Sequence, residues 1–268
     1  MENNTDTTAP DRPAAASADT HAPANCDAPL GEPAPNRAAR AALALLLFVP
    51  APTLGVLAAL WAPGLKETDL GQALFGFAKA YLLLFPLVWT LYVDRKPLTI
   101  PRPTMRGMGW AVGTGVAFFV AIALAYFGYA QDQLDHDTLA AKMLAAGLDA
   151  KWKLAAMAVY WCTVNSLLEE YVWRWFVFEK CKALTPKHTL LPIVASGLFF
   201  TVHHFIALTL YLPGQLHLVA LASLGVFIGG ATWSWIYLKS KNIYAGYVSH
   251  VFADIIIFWI AYQIAFGG

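Results

Sequence analysis

Charge is what this chain has least of. Only 13% of its 268 residues are Asp, Glu, Lys or Arg, about half the roughly 25% usual for a soluble domain. With 58% hydrophobic residues, a soluble fold would leave large apolar surfaces in water, so an ordinary soluble domain is excluded. The net charge of +1 leaves no basic excess for nucleic-acid binding. Cysteine is also scarce. Cys26, Cys162 and Cys181 offer neither a disulfide framework nor metal-ligand spacing, and Cys162 reads as a small apolar packing residue.

What is there is long apolar runs. Residues 1–36 have almost no large apolar side chains before Leu30. Such a segment cannot offset its ordering entropy by burial, so a disordered cytoplasmic tail is expected. The tail lacks the basic start and short apolar core of a signal peptide, so the first run is expected to stay as an anchor. Residues 37–268 are expected to form a transmembrane domain. Runs at about 41–61, 71–93, 108–130, 154–178, 190–212, 216–238 and 243–266 each reach the roughly 20 helical residues that span a bilayer. The expected fold is therefore all-α, a polytopic bundle of about seven helices, within a range of six to eight. Pro50, Pro52 and Pro86 predict kinks in the first two.

The basic residues outside the spans alternate. Arg37 and Arg40, then Arg95, Lys96, Arg102 and Arg106, then Lys180, Lys182 and Lys187, then Lys239 and Lys241 make 11, against 4 in the intervening segments. The positive-inside rule places the amino terminus in the cytoplasm and the carboxyl terminus outside; the expected location is the bacterial inner (plasma) membrane. Trp61, Trp110, Trp152, Trp235 and Tyr237 read as interfacial anchors. Gly225 and Gly229 read as a close-packing site within the bundle. Lys79 is expected to snorkel or to meet a carboxylate.

A few polar side chains remain inside the spans. The fourth run holds Asn165, Glu169, Glu170 and Arg174; the fifth holds His203 and His204; the seventh holds His250 and Asp254. An ionisable group in hydrocarbon costs several kcal/mol unless it is paired, neutral or facing a polar cavity, so these are the candidate functional residues. Glu170 and Arg174 are i and i+4, spaced for a charge-assisted pair. Glu169 lies about 100° round the helix with Asn165 one turn behind it, and so has a different task. His250 and Asp254 also share a face. Helical rise puts Glu169, His203 and His250 roughly 14, 20 and 11 Å from the cytoplasmic ends of their helices. The carboxylate and both imidazoles can then meet at one level.

In these residues the chain resembles the CAAX protease and bacteriocin-processing family of intramembrane endopeptidases. The family pattern Glu-Glu-x-x-x-Arg is matched by Glu169-Glu170-Tyr171-Val172-Trp173-Arg174. Phe-x-x-x-His is matched by Phe199-Phe200-Thr201-Val202-His203, and His-x-x-x-Asn/Asp by His250-Val251-Phe252-Ala253-Asp254. The resemblance covers about 154–258. It implies a catalytic core in which Glu169 is the general base that activates water, assisted by His203, while His250 and Asp254 bind the oxyanion. It makes Glu170 and Arg174 a structural ion pair, with Asn165, Phe199 and His204 in support; the motif register favours His203 over its neighbour. The implied function is cleavage of a peptide bond in a membrane-associated protein or peptide substrate. Asp254 stands where some members have Asn. Ionised, it would repel an oxyanion, so it is expected to be protonated, to orient His250, or to ligate a metal.

His203, His250 and Asp254 could also hold zinc with an open water position, Glu169 remaining the base. No local His-Glu-x-x-His is present, and the family is generally regarded as glutamate-dependent, so the metal-free version without a cofactor is favoured. Two other classes compete. A non-proteolytic protein of the same fold, with an immunity or scaffolding role, would not need Glu169. A proton-coupled transporter could use Glu, His and Asp as a relay, although the chain has no obvious inverted repeat or paired broken helices.

Overall fold

Backbone N–H and C=O groups in lipid must be satisfied within their own segment, which forces each apolar run into a helix. The structure, a computed structural model, describes Met1 and residues 34–60, 68–98 and 102–267. Among the described residues there are helices and no strands. The tail expected at 1–36 lies outside the described residues apart from Met1 and its last three, which begin the first helix. Cys26 and Trp61 also lie outside them.

Helices α1 (Ala34–Phe48) and α2 (Pro50–Leu60) form the first run, broken by a single turn residue, Val49, before Pro50. Proline is tolerated there because the first turn of a helix has no intrahelical partner for its missing N–H. The second run is α3 (Asp69–Val93), which passes Pro86 and ends in a π-helical turn from Trp89. Thr68 caps its start by accepting from the Gly71 N–H at 3.2 Å. Helix α4 (Met108–Ala130) is followed by α5 (His136–Ala145), a short helix absent from the sequence expectation. Asp135 caps α5, accepting from Thr138 N at 2.9 Å and from its hydroxyl at 2.7 Å. Helix α6 runs over 151–184, and α7 (Leu190–Tyr211), α8 (Leu216–Ser240) and α9 (Ile243–Phe266) complete the chain.

Among the described residues six helices are long and apolar enough to cross a membrane, and the protein is an integral membrane protein with an all-α polytopic fold. The exception among the seven expected spans is α6. Asn165, Glu169, Glu170 and Arg174 lie within it, and these polar residues weaken its apolar signal.

Helix α6 is not uniformly α-helical. Trp161–Asn165 and Tyr171–Phe178 are π-helical and bracket one α-helical turn, Ser166–Glu170. π-Helical turns are rare and concentrate at functional sites, because each re-aims the side chains beyond it. Here they flank the two glutamates.

Packing is set by small residues and aromatic rings. Phe48 meets Phe85, Trp173 and Phe176 at centroid separations of 5.8, 6.1 and 5.5 Å, locking α1 and α3 to α6. Helices α7 and α8 approach through Gly197 and Gly230: a Cβ on Gly230 would lie 2.9 Å from Phe200 and 3.4 Å from Gly197 Cα. The pair expected to allow close approach, Gly225 and Gly229, does not perform this role. Among the described residues, a Cβ on Gly225 meets nothing within 4 Å, and the three atoms nearest one on Gly229 all belong to Trp233 of its own helix. At the loop joining α3 to α4, Gly107 adopts φ +83°, and a Cβ there would lie 2.7 Å from that of Ser240. Asn242 then ties this loop to α9, donating to Thr104 O at 2.9 Å and Arg106 O at 3.0 Å while capping Tyr244 N. Lys79 places its ammonium over the Trp161 ring, 5.7 Å from the centroid. Cys162 is buried, in keeping with a packing role.

Candidate active site

The central α-turn of α6 projects two carboxylates in different directions, as the sequence spacing predicts. Glu170 and Arg174 are both fully buried, with Arg174 Nη2 3.0 Å from Glu170 Oε1. The guanidinium lies between two aromatic faces, 5.1 Å from the Phe200 ring and 5.3 Å from that of Trp233. Among the described residues, its Nε, Nη1 and Nη2, and Glu170 Oε2, have no partner in hydrogen-bond geometry. The pair is held by charge and by aromatic faces, without a full set of hydrogen bonds. Glu170 fits only because α9 offers Gly246 opposite it: a Cβ at that position would collide with Glu170 Oε2.

Glu169 accepts a hydrogen bond from Asn165 Nδ2 at 2.9 Å, and its side chain remains 20% exposed. Of the two glutamates it is the one that water can reach. One carboxylate oxygen of Glu169 and one ring nitrogen each of His203 and His204 lie within 4.8 Å of one another. The His203 ring stacks on Trp173, 5.4 Å between centroids and 5° between planes. His204 Nδ1 lies 2.8 Å from Phe200 O.

His250 links the two glutamates. Its Nδ1 is 3.2 Å from Glu170 Oε1, while its Nε2 is 3.7 Å from Glu169 Oε2 and 3.8 Å from Asp254 Oδ1. A carboxylate only accepts, so Nδ1 carries the proton towards Glu170. The ring stacks on Trp233 at 3.9 Å and 19°. Trp233 in turn donates through Nε1 to Ser249 Oγ at 3.1 Å, and Ser249 pairs with Thr114 at 2.8 Å. Asp254 accepts from the Ser166 hydroxyl at 2.5 Å.

The structure therefore brings Glu169, Glu170, Arg174, His250 and Asp254 together in one network, with His203 and His204 on its Glu169 side. Among the described residues, no cluster of potential ligand atoms joins His203 to His250 and Asp254; the atoms that converge are those of Glu169 and both members of the histidine doublet. Phe199 packs partly buried against the core. Its neighbour Phe200, 2% exposed, is the ring that touches Trp173, His203, His204, Trp233 and His250. Sequence reasoning missed Ser166, Trp173, Trp233 and Ser249. Ser166 alone carried a signal, lying four residues before Glu170 on the same helix. A tryptophan in a membrane span does not reveal that it will stack on an imidazole. A cavity of about 670 Å³ lies elsewhere, between the amino-terminal half of α6 and the carboxyl-terminal half of α9, with Cys162 and Thr163 in its lining.

Fold and site together define a polytopic membrane protein with a carboxylate–imidazole centre inside its helical bundle. Residues 151–256 match the family model of the type II CAAX prenyl endopeptidases, Rce1-like. The matched segment contains all three sequence motifs, so the similarity to that family rests on the residues of the site and the helices that carry them. Comparison with curated proteins and with solved structures returned no match.

Proposed function

We propose that the protein is a glutamic-type intramembrane endopeptidase, with Glu169 as the general base acting on a membrane-associated protein or peptide. The observation that carries this reading is the division of labour between the glutamates. Glu170 is sealed against Arg174, whereas Glu169 is held by Asn165, partly open to water, and adjacent to imidazoles from α7 and α9.

In this reading, a water molecule beside Glu169 loses a proton to the carboxylate as its oxygen attacks the scissile carbonyl carbon, with His203 assisting its orientation. The carbonyl oxygen becomes an oxyanion. His250 can donate to it from Nε2 as the imidazolium, because Nδ1–H is already directed at Glu170. Such a donor is worth about 3–4 kcal/mol in a site shielded from water. Asp254 lies too close to Nε2 to be a neutral bystander; with one oxygen engaged by Ser166, it orients His250 and stabilises its charge. Collapse of the tetrahedral intermediate breaks the C–N bond, and Glu169 returns its proton to the leaving amine. No step requires a metal. The apolar cavity with Cys162 in its lining offers a surface for the substrate's membrane-embedded part. A bacterial inner membrane, with the amino terminus in the cytoplasm, fits the loop charges.

The test compares membrane proteomes of cells expressing the native chain and Glu169→Gln. The native chain should generate new protein termini that the variant, folded and inserted, does not. Equal cleavage by the variant would remove Glu169 as the base. A phenotype that survives replacement of both Glu169 and His203 would instead establish the non-proteolytic role.

A further inference from the structure

The proposed hydrolysis uses one histidine of α7, yet two face Glu169. His204 is not needed by the motif and still converges with His203 on the same carboxylate, their ring centroids 4.1 Å apart. A doublet on one helix normally diverges by about 100°, so this convergence requires explanation.

The two rings are prepared in a particular way. His204 Nδ1 lies 2.8 Å from Phe200 O; a carbonyl only accepts, so Nδ1 bears the hydrogen and Nε2 keeps its lone pair in the neutral ring. This backbone contact is the outer-shell arrangement that orients ligating histidines and fixes their tautomer. His203 is fixed by its stack on Trp173, and its Nδ1 is buried with no hydrogen-bond partner among the described residues. Glu169 commits Oε1 to Asn165. Two preoriented imidazoles and one carboxylate make a donor set suited to zinc, a three-residue set that leaves the fourth tetrahedral position to water. All three residues are partly exposed.

We propose that Glu169, His203 and His204 form a binding site for a transition-metal dication, for which Zn²⁺ is the probe, and that occupancy inhibits proteolysis by engaging the general base. The inhibitory half rests on the role of Glu169 proposed above; the binding half does not. The donor set differs from the His203, His250 and Asp254 combination suggested by sequence, because His250 Nδ1 is directed at Glu170, Asp254 accepts from Ser166, and among the described residues no ligand cluster joins either to His203.

The experiment uses the full chain, purified in nanodiscs and stripped with chelator, titrated with ZnCl₂ and, for a visible spectroscopic signature, CoCl₂. One ion per chain should bind. His204→Ala, His204→Gln and Glu169→Gln, each verified as folded by circular dichroism, should weaken binding by more than the roughly 10- to 100-fold that loss of an outer-shell partner costs. His136→Ala should bind as the native chain does. Proteolysis should persist in chelator and fall as zinc saturates the site. The proposal is overturned if the native chain binds no zinc, or if both His204 variants bind it undiminished. Activity lost in chelator and restored by zinc would overturn the inhibitory half and replace it with a cofactor role. Proteolysis retained by Glu169→Gln would sink the base assignment, while the titration would still judge the metal site.

Discussion

Replacing Glu170 or Arg174 singly should cost far more than replacing both. The pair is fully buried, and removing one member of a buried ion pair leaves an uncompensated charge at a cost of about 3–5 kcal/mol. The two halves are not equivalent. Glu170→Met leaves a guanidinium that cannot shed its charge, with the faces of Phe200 and Trp233 as its remaining support. Such contacts return about 0.5–2 kcal/mol and are already present in the native protein, so the full penalty applies. Arg174→Met leaves a carboxylate that still has His250 Nδ1 at 3.2 Å and can be neutralised by taking up a proton, which puts its cost near the lower end of the range. The double variant replaces both charges with apolar side chains of similar volume and should lie within about 1 kcal/mol of the native protein. Either single change shifts the folded-to-unfolded ratio by roughly a hundred- to several-thousand-fold. Unfolding by SDS in mixed micelles, followed by far-UV circular dichroism, measures all four corners of the cycle. Single variants costing under about 1 kcal/mol, or a double variant costing the sum of its parts, would refute the claim that this pair carries a strong buried coupling.

Four further outcomes are expected. Gly246→Ala should destabilise the bundle by about 1–3 kcal/mol through overpacking, since its Cβ would meet Glu170 Oε2. Gly225→Ala, with nothing within 4 Å, should be neutral in the same unfolding assay, and the reverse order would restore the Gly-x-x-x-Gly reading. Ser166→Ala removes the donor to Asp254 and should cost about 1.5–3 kcal/mol if that carboxylate is charged; a loss below about 0.5 kcal/mol would indicate that it is not. Asp135, at the start of α5, has its pKa lowered from 3.8 chiefly by the side-chain and then the backbone hydrogen bond from Thr138. Its contribution is therefore present above the ordinary carboxylate value and is lost as pH falls through the depressed one. The protection of amides 136–145 against hydrogen exchange in nanodiscs, taken relative to the intrinsic rate at each pH, should fall on acidification through that window, and Asp135→Ala should show the lower protection at every pH.

The lengths and order of the spans were legible because they follow from a local requirement: in lipid, a long apolar run has no alternative to a helix. The i, i+4 contacts Asn165–Glu169 and Glu170–Arg174 were legible for the same reason, since one helix's geometry sets them. The short α5 was not, its apolar residues being too few to stand out among the loop aspartates. The two π-helical stretches of α6 carry no pattern that periodicity detects.

From the sequence alone, then, this protein is an all-α membrane bundle that places carboxylates and imidazoles on three of its helices. Only the tertiary structure decided how they are divided. It set His250 between both glutamates, engaged Asp254 with Ser166, and turned His203 and His204 together towards Glu169. The reason is that helix rotation in a bilayer is not governed by an apolar stripe, since every face is apolar. It is governed by close contacts between helices, here Gly197 against Gly230 and Gly246 beside Glu170.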